Sequence, residues 1–134
     1  MTIKEIPQVD YQIAYQLYCN SFNKKIMAKQ SNINTKNLIG LYLNNELVGL
    51  AQLDYLENNF ENTKIAYINN FCIKENYRHQ GLGDNLLKEC LNIAKTNGAT
   101  QIQLTSNKKR VYAHMLYNKN GFKTIDTILL KKEI

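Results

Sequence analysis

The sequence predicts an α/β domain on a mixed central sheet of about seven strands with four helices, in the order βααβββαβαββ, filling residues 1–134 as one domain. Three observations predict it. Strand-length runs rich in β-branched and aromatic residues alternate with stretches whose apolar residues recur every three to four positions. At the centre, Tyr67 to Leu87 (YINNFCIKENYRHQGLGDNLL) reads as strand, irregular polar loop, Gly-x-Gly and helix. A chain of 134 residues is also long enough to bury one real core.

In chain order, Thr2 to Ile6 is a short strand stopped by Pro7. Asp10 is placed to cap a helix from Tyr11 to about Phe22, with Ile13, Ala14, Leu17, Tyr18 and Ser21 facing inward. Ile26, Met27 and Ile33 indicate a short second helix within the polar stretch Asn23 to Lys36. Leu38 to Leu43 and Glu46 to Tyr55 read as two strands joined at Asn44-Asn45, because Asn tolerates positive φ in a hairpin turn. Gly49 within the second of these marks a bulge or a close backbone approach. Glu57 to Thr63 is a polar loop, and Lys64 to Ile73 is the central strand. A helix runs from Gly81 to about Asn97, with Leu82, Leu86, Leu87, Cys90, Leu91 and Ala94 on one stripe and Gly98 as C-cap. Gln101 to Thr105 is a strand, Asn107 to Asn120 a helix closed by Gly121, and Phe122 to Asp126 with Ile128 to Lys132 a final strand pair.

Composition narrows the class. No apolar run is long enough to span a membrane, and MTIKEIPQVDYQ lacks the apolar segment of a secretory signal. Three cysteines is an odd count and no Cys/His spacing of metal type is present, so a reducing cytoplasm is the simplest setting and no metal is expected. The net charge of +6 lies wholly in the second half: residues 67–134 hold eleven Lys/Arg and five Asp/Glu, whereas residues 1–66 balance at six of each. An anionic cofactor would be drawn to that half. Nucleic acid fits less well, because the basic residues are spread along the chain and no nucleic-acid motif accompanies them.

The strand–loop–Gly-x-Gly–helix unit points to an anion. The first turn of a helix carries unpaired N–H groups and the positive end of its dipole. Glycines let a phosphate approach the backbone closely, and Arg78 and Gln80 add donors. A glycine turn capping an ordinary helix is the bland alternative. A dinucleotide fingerprint is excluded, since Leu86 stands where the third glycine belongs, and a P-loop is excluded because Gly83 precedes Asp84 and Asn85.

Two blocks carry a family resemblance. Arg78-His79-Gln80-Gly81-Leu82-Gly83 is similar to the acetyl-CoA motif Arg/Gln-x-x-Gly-x-Gly/Ala of the GCN5-related N-acetyltransferases (GNAT). Ala113-His114-Met115-Leu116-Tyr117-Asn118-Lys119-Asn120-Gly121-Phe122 resembles their later block Ala-x-x-Phe/Leu-Tyr-x-x-x-Gly-Phe. The predicted element order is that family's topology. The resemblance implies acetyl-CoA as cosubstrate and a fourth strand splayed from the fifth, with main-chain groups of Phe71, Cys72 and Ile73 holding the pantetheine arm and acetyl carbonyl. It implies that Arg78, His79, Gln80, Gly81, Leu82, Gly83 and Asp84 wrap the pyrophosphate, mostly through N–H groups, and that Tyr117 is the general acid that protonates the leaving thiolate. A homodimer is common among such relatives.

The general base is not legible. Where many members carry Glu or Asp on the fourth strand, this chain has Asn69 and Asn70, and an asparagine accepts no proton at neutral pH. Asn70 is kept as a residue that positions a water or the amine, with a water chain, His79, His114 or Glu75 as alternative bases, or no base at all where the amine arrives neutral. Leu104 to Phe122 further resembles the subgroup that includes the bacterial aminoalkylphosphonate N-acetyltransferases; Lys108, Lys109 and Arg110 could then meet a phosphonate or phosphate, Arg110 the 3′-phosphate of CoA. The reading is an acetyl-CoA-dependent N-acetyltransferase acting on a primary amine of a small molecule. Its rivals are acetylation of a protein N-terminus or lysine, and a non-catalytic acyl-CoA-binding regulatory module.

Overall fold

Five strands form one sheet in their chain order: β1 (Thr2–Glu5), β2 (Leu38–Leu43), β3 (Glu46–Asn58), β4 (Thr63–Ile73) and β5 (Gln101–Leu104). The first three pairings are antiparallel, and β4 with β5 is parallel. Three helices accompany them: α1 (Tyr11–Phe22), α2 (Leu82–Thr96) and α3 (Val111–Lys119). The computed structural model describes residues 1–27 and 34–134.

The β2–β3 turn forms at Asn44 and Asn45, with φ of 48° and 66°, the mirror-image geometry that matches strand twist. Gly49 is both things its position predicts. The β2–β3 register shifts beside it, and a Cβ there would stand 2.8 Å from Ile73 Cδ1 and 3.2 Å from Leu41 Cβ. The crossover from β4 to β5 supplies α2, whose Leu82, Leu86, Leu87, Cys90 and Ala94 are all buried against the sheet. Leu86 and Leu87 are fully buried, each contributing roughly 1.5–3 kcal/mol. α1 covers the opposite face, where Ala14 and Leu17 pack with Ile6, Leu47, Leu50 and Cys72.

Several expectations are corrected. The chain has five strands and three helices among the described residues, not seven and four. Of the expected second helix, residues 28–33 lie outside the described residues, and Asn23 to Met27 form no helix. The final strand pair is not formed: Phe122 to Asp126 and Ile128 to Lys132 carry no strand, and Ile128, Leu129 and Leu130 are 82–83% exposed. The alternation is strand-like, but a strand requires a ladder partner, and beyond Phe122 the one backbone hydrogen bond among the described residues is the local Thr127 N–H to Ile125 O. Ile13 is exposed, and Cys19 is buried in its stead. Asp10 precedes α1 without capping it, because its carboxylate accepts the Tyr42 hydroxyl at 2.8 Å. Burial, with that hydrogen bond and the Asp10 charge, pushes the Tyr42 phenol up.

Candidate active site

The sheet opens where β4 outruns β5. β5 pairs β4 only over Ile65 to Ile68, whereas β4 continues to Ile73 on the β3 side. From Asn69 onward the far edge of β4 therefore faces a gap. A bulge sits at its start: Cys72 pairs Leu50 and Asn69 pairs Gln52, so Asn70 and Phe71 oppose Ala51 alone. Asn70 takes φ 57°, a left-handed conformation that asparagine tolerates better than other non-glycine residues. Lys74 N–H donates to Val48 O at 2.7 Å, which makes Gly49 and Ile73 a non-hydrogen-bonded pair and turns the Ile73 main chain toward the gap. The same alternation directs the Cys72 main chain into the β3 ladder, and its thiol lies in the α1-side core.

The loop after β4 is held by its own contacts. Arg78 Nε donates to Ile73 O at 2.7 Å, folding the loop back on the strand end. Glu46 accepts Lys74 Nζ at 2.8 Å and Tyr77 OH at 3.1 Å. His79 and Gly81 both have positive φ, 63° and 81°, so the chain curls before entering α2. Among the described residues, none of the N–H groups from His79 to Asp84 has an acceptor; Asn85 N–H is the first to bond back, to Gly81 O at 3.2 Å. Such a run of N–H groups at a helix start is an anion cradle. Gly83 permits close packing there, since a Cβ would meet Leu116 Cδ2 at 3.3 Å.

Three side chains here are otherwise engaged, whereas Gln80 is exposed. The His79 ring stands edge-on to Tyr112 at 5.3 Å, and Leu82 is buried. Asp84 binds Lys88 Nζ at 2.8 Å and accepts Asn120 Nδ2 at 2.9 Å, tying α2 to the end of α3. Those two hydrogen bonds, Lys88 first, hold its carboxyl below the usual range. Only its N–H faces the cradle.

α3 brings Tyr117 to the same strand. Its ring is 7% exposed and packs edge-on to Phe71 at 6.2 Å and against Phe122 at 5.8 Å. Burial pushes its phenol up, and the Arg110 charge pulls it partly back. The Arg110 guanidinium lies 5.7 Å from the Phe22 ring at the end of α1. Just past β5, Ser106 Oγ is buried without a hydrogen-bond partner among the described residues. Ser106 follows Leu104, the last β5 residue paired with β4, by two positions, so this orphaned hydroxyl comes in the chain just beyond the end of the β4–β5 pairing. The unspent N–H groups and this hydroxyl together fit the pyrophosphate and amide groups of acetyl-CoA. Among the described residues no cluster of His, Cys, Asp or Glu could hold a metal ion.

The α1 side of the opened strand carries a group that sequence reasoning missed. Asp54 on β3 accepts Gln52 Nε2 and Asn69 Nδ2, each at 2.9 Å on Oδ2, and Asn70 Nδ2 donates to Gln52 Oε1 at 2.9 Å. The signal was available as strand pairing: Gln52 opposes Asn69, and period two puts Asp54 on the same face as Gln52. A cavity of about 280 Å³ adjoins this network, roofed by Tyr11, Tyr15 and Tyr18 of α1 and floored by Leu50, Gln52 and Asn70. A larger one of about 870 Å³ lies between α1 and Lys74 to Arg78, away from Tyr117.

A family profile described as acetyltransferase (GNAT) family matches residues 2–122. The chain belongs to the GNAT acetyltransferase family. Among curated relatives, this GNAT chain is 28% identical over 103 residues to a spermidine N(1)-acetyltransferase of Thermoplasma acidophilum, covering 77% of this chain and 60% of that protein. The chain spans 22% to 60% of the length of the curated relatives it matches. Among solved structures it is similar to an aminoglycoside acetyltransferase from an uncultured soil metagenomic sample, with TM-score 0.83, 19% identity and coverage of 99% and 95%. It is also similar to a predicted acetyltransferase of Clostridium acetobutylicum solved with acetyl-CoA, with TM-score 0.75, 18% identity and coverage of 98% and 95%. At these identities the structural likeness is one of fold. No helix among the described residues is long and apolar enough to cross a membrane.

Proposed function

We propose that this GNAT chain is an acetyl-CoA-dependent N-acetyltransferase that acts on a primary amine of a small molecule, by direct attack with cofactor and amine bound together. The observation that carries the reading is the gap beyond Ile68, bordered by the unspent N–H groups of His79 to Asp84 and by Tyr117. Acetyl-CoA, when bound, supplies a thioester and a thiolate leaving group. The N–H groups of His79, Gln80, Gly81, Leu82, Gly83 and Asp84 bind its pyrophosphate, with Arg78 fixing the loop rather than gripping the ligand. Main-chain groups of Phe71 and Ile73, and Ser106 Oγ, receive its amide groups. Arg110 holds negative charge near the gap. Tyr117 donates a proton from its hydroxyl to the departing thiolate, Asn70 orients the amine or a water, and the amine, which attacks in its neutral form, releases its surplus proton to water.

Direct attack is supported by the cysteines. Cys72 is the thiol beside the opened strand, and burial pushes it up, away from the thiolate an acetyl-enzyme would need. Cys90 is pushed up to about 12 by burial and faces the opposite core. Three buried free cysteines suit a reducing compartment such as the cytoplasm.

The amine class is read as small molecules because relatives are named for spermidine and aminoglycosides. The likeness to aminoalkylphosphonate enzymes rests on the segment Leu104 to Phe122; of the three basic residues there that would meet a phosphonate or phosphate, Arg110 faces Phe22. The test is free-thiol release from acetyl-CoA with polyamines, amino sugars, aminoalkylphosphonates, simple amines and short peptides. Turnover with one small-amine class is the expected result. Binding of acetyl-CoA without turnover on any of them would favour a regulatory module, and turnover on peptides alone would favour a protein acetyltransferase.

We also propose pairing of two copies, with the strand-patterned residues 122–132 of each meeting the free edge of β5 in the other. The free edge and the exposed Ile128, Leu129 and Leu130 support it. Sedimentation should give a dimer that reverts to a monomer when the chain is cut after Gly121; a monomeric full chain would refute the pairing.

A further inference from the structure

We infer that Asp54 and the tyrosine-roofed cavity beside it form the acceptor subsite, which takes a single primary ammonium carried on an apolar or aromatic stem. The inference deepens the proposed acetyl transfer and rests on it for the location of the reaction.

Asp54 is the carboxylate on the face of the sheet that carries Asn69 and Asn70. Its Oδ2 is oriented by two amide donors, Gln52 Nε2 and Asn69 Nδ2, and its Oδ1 has no donor among the described residues. A half-buried carboxylate with one oxygen fixed and the other open is a receptor for a charge-assisted hydrogen bond. The same network reaches Asn70 through Gln52 Oε1, and Asn70 is the bulge residue at the mouth of the β4–β5 gap. An ammonium at Oδ1 is thereby set next to the strand that lines the gap.

The stem has its own place. Tyr11 and Tyr15 stack at 6.0 Å, and Tyr15 and Tyr18 at 6.5 Å, giving three aligned rings on one stripe of α1. They face Leu38 and Leu50 across the cavity, an aromatic and aliphatic strip within a lining that also holds the polar Gln52 and Asn70. Rings of this kind bind apolar stems by contact and a nearby cation by the ring quadrupole. Lys36 is the one charged residue lining the cavity among the described residues. It disfavours a second positive charge deep in the cavity, so one ammonium fits better than a chain of them.

The test uses the full chain, saturated with CoA or acetyl-CoA, and phenethylamine, n-butylamine, spermidine and 2-aminoethylphosphonate as probes. Asp54→Asn keeps shape and volume. It should raise KM for phenethylamine and n-butylamine by about 10- to 100-fold, with kcat changed by no more than about threefold and acetyl-CoA affinity unchanged. Tyr15→Leu should raise KM for phenethylamine more than for n-butylamine. Amine binding followed by calorimetry gives a readout independent of turnover: the same variant should lose the same factor in Kd. Unchanged amine affinity in Asp54→Asn would overturn the subsite, and so would preference for spermidine or for the phosphonate. Absence of turnover with amine binding intact and Asp54-dependent would instead overturn the catalytic reading alone.

Discussion

Replacing Tyr117 by phenylalanine is expected to lower kcat for acetyl transfer by about 100-fold or more, with acetyl-CoA affinity held within about threefold. The substitution keeps the ring that packs on Phe71 and Phe122, so the core around α3 survives. Only the hydroxyl is lost. That hydroxyl makes no hydrogen bond to the described residues and is not among their fully buried unpaired atoms, so its removal strands no partner. Circular dichroism and thermal unfolding should therefore match wild type while turnover falls. The pH dependence carries a second sign. Burial, the larger influence, raises the phenol above its ordinary value near ~10, so Tyr117 stays protonated through neutral and mildly alkaline pH. Activity should rise as the amine deprotonates and fall only at more alkaline pH, and the falling limb should vanish in Tyr117→Phe. An equal kcat in the two proteins would reassign Tyr117 to packing.

Gly81→Asp is expected to weaken acetyl-CoA binding by at least about 100-fold, the largest effect on the cofactor side. A Cβ at Gly81 meets nothing within 4 Å; the φ of 81° strains any L side chain, Asp and Asn less than most, so the backbone cost is shared by the two variants compared below. The new carboxylate stands among N–H groups proposed to hold pyrophosphate. Two like charges about 4 Å apart at an effective dielectric near 20 repel by about 4 kcal/mol, which exceeds the 2.7 kcal/mol of a 100-fold loss. Gly81→Asn separates charge from shape. It should cost roughly tenfold or less, since it adds the same bulk without the charge. Equal losses in the two variants would mean that Gly81 serves geometry and not the anion.

What was legible in the chain was local. Asn44-Asn45 declares a hairpin because the turn chemistry lies in two adjacent residues. Gly81-Leu82-Gly83 declares a helix start with free N–H groups because stripe and glycines are contiguous. What was not legible depends on partners far along the chain. Asp10 has the residue type and place of a cap, yet Tyr42, thirty-two residues on, takes its carboxylate. The missing strand carboxylate was sought on β4, where Asn69 and Asn70 stand; the carboxylate that bonds Asn69 is Asp54 of β3, which comes into view only once the two strands are paired. Tyr11, Tyr15 and Tyr18 are unremarkable among nine tyrosines until α1 is laid over Leu50 and Gln52. Residues 122–132 have a strand's alternation, but alternation specifies a face and not the presence of a neighbour.

The N–H groups from His79 to Asp84 and the open edge of β4 are proposed as the seat of acetyl-CoA. Titration of the isotope-labelled full chain with acetyl-CoA, followed amide by amide by NMR, tests it most directly. Saturable, one-site shifts concentrated at His79 to Asp84, Phe71 and Ile73 are expected. Saturable binding that leaves those amides unmoved, or no binding, would contradict it.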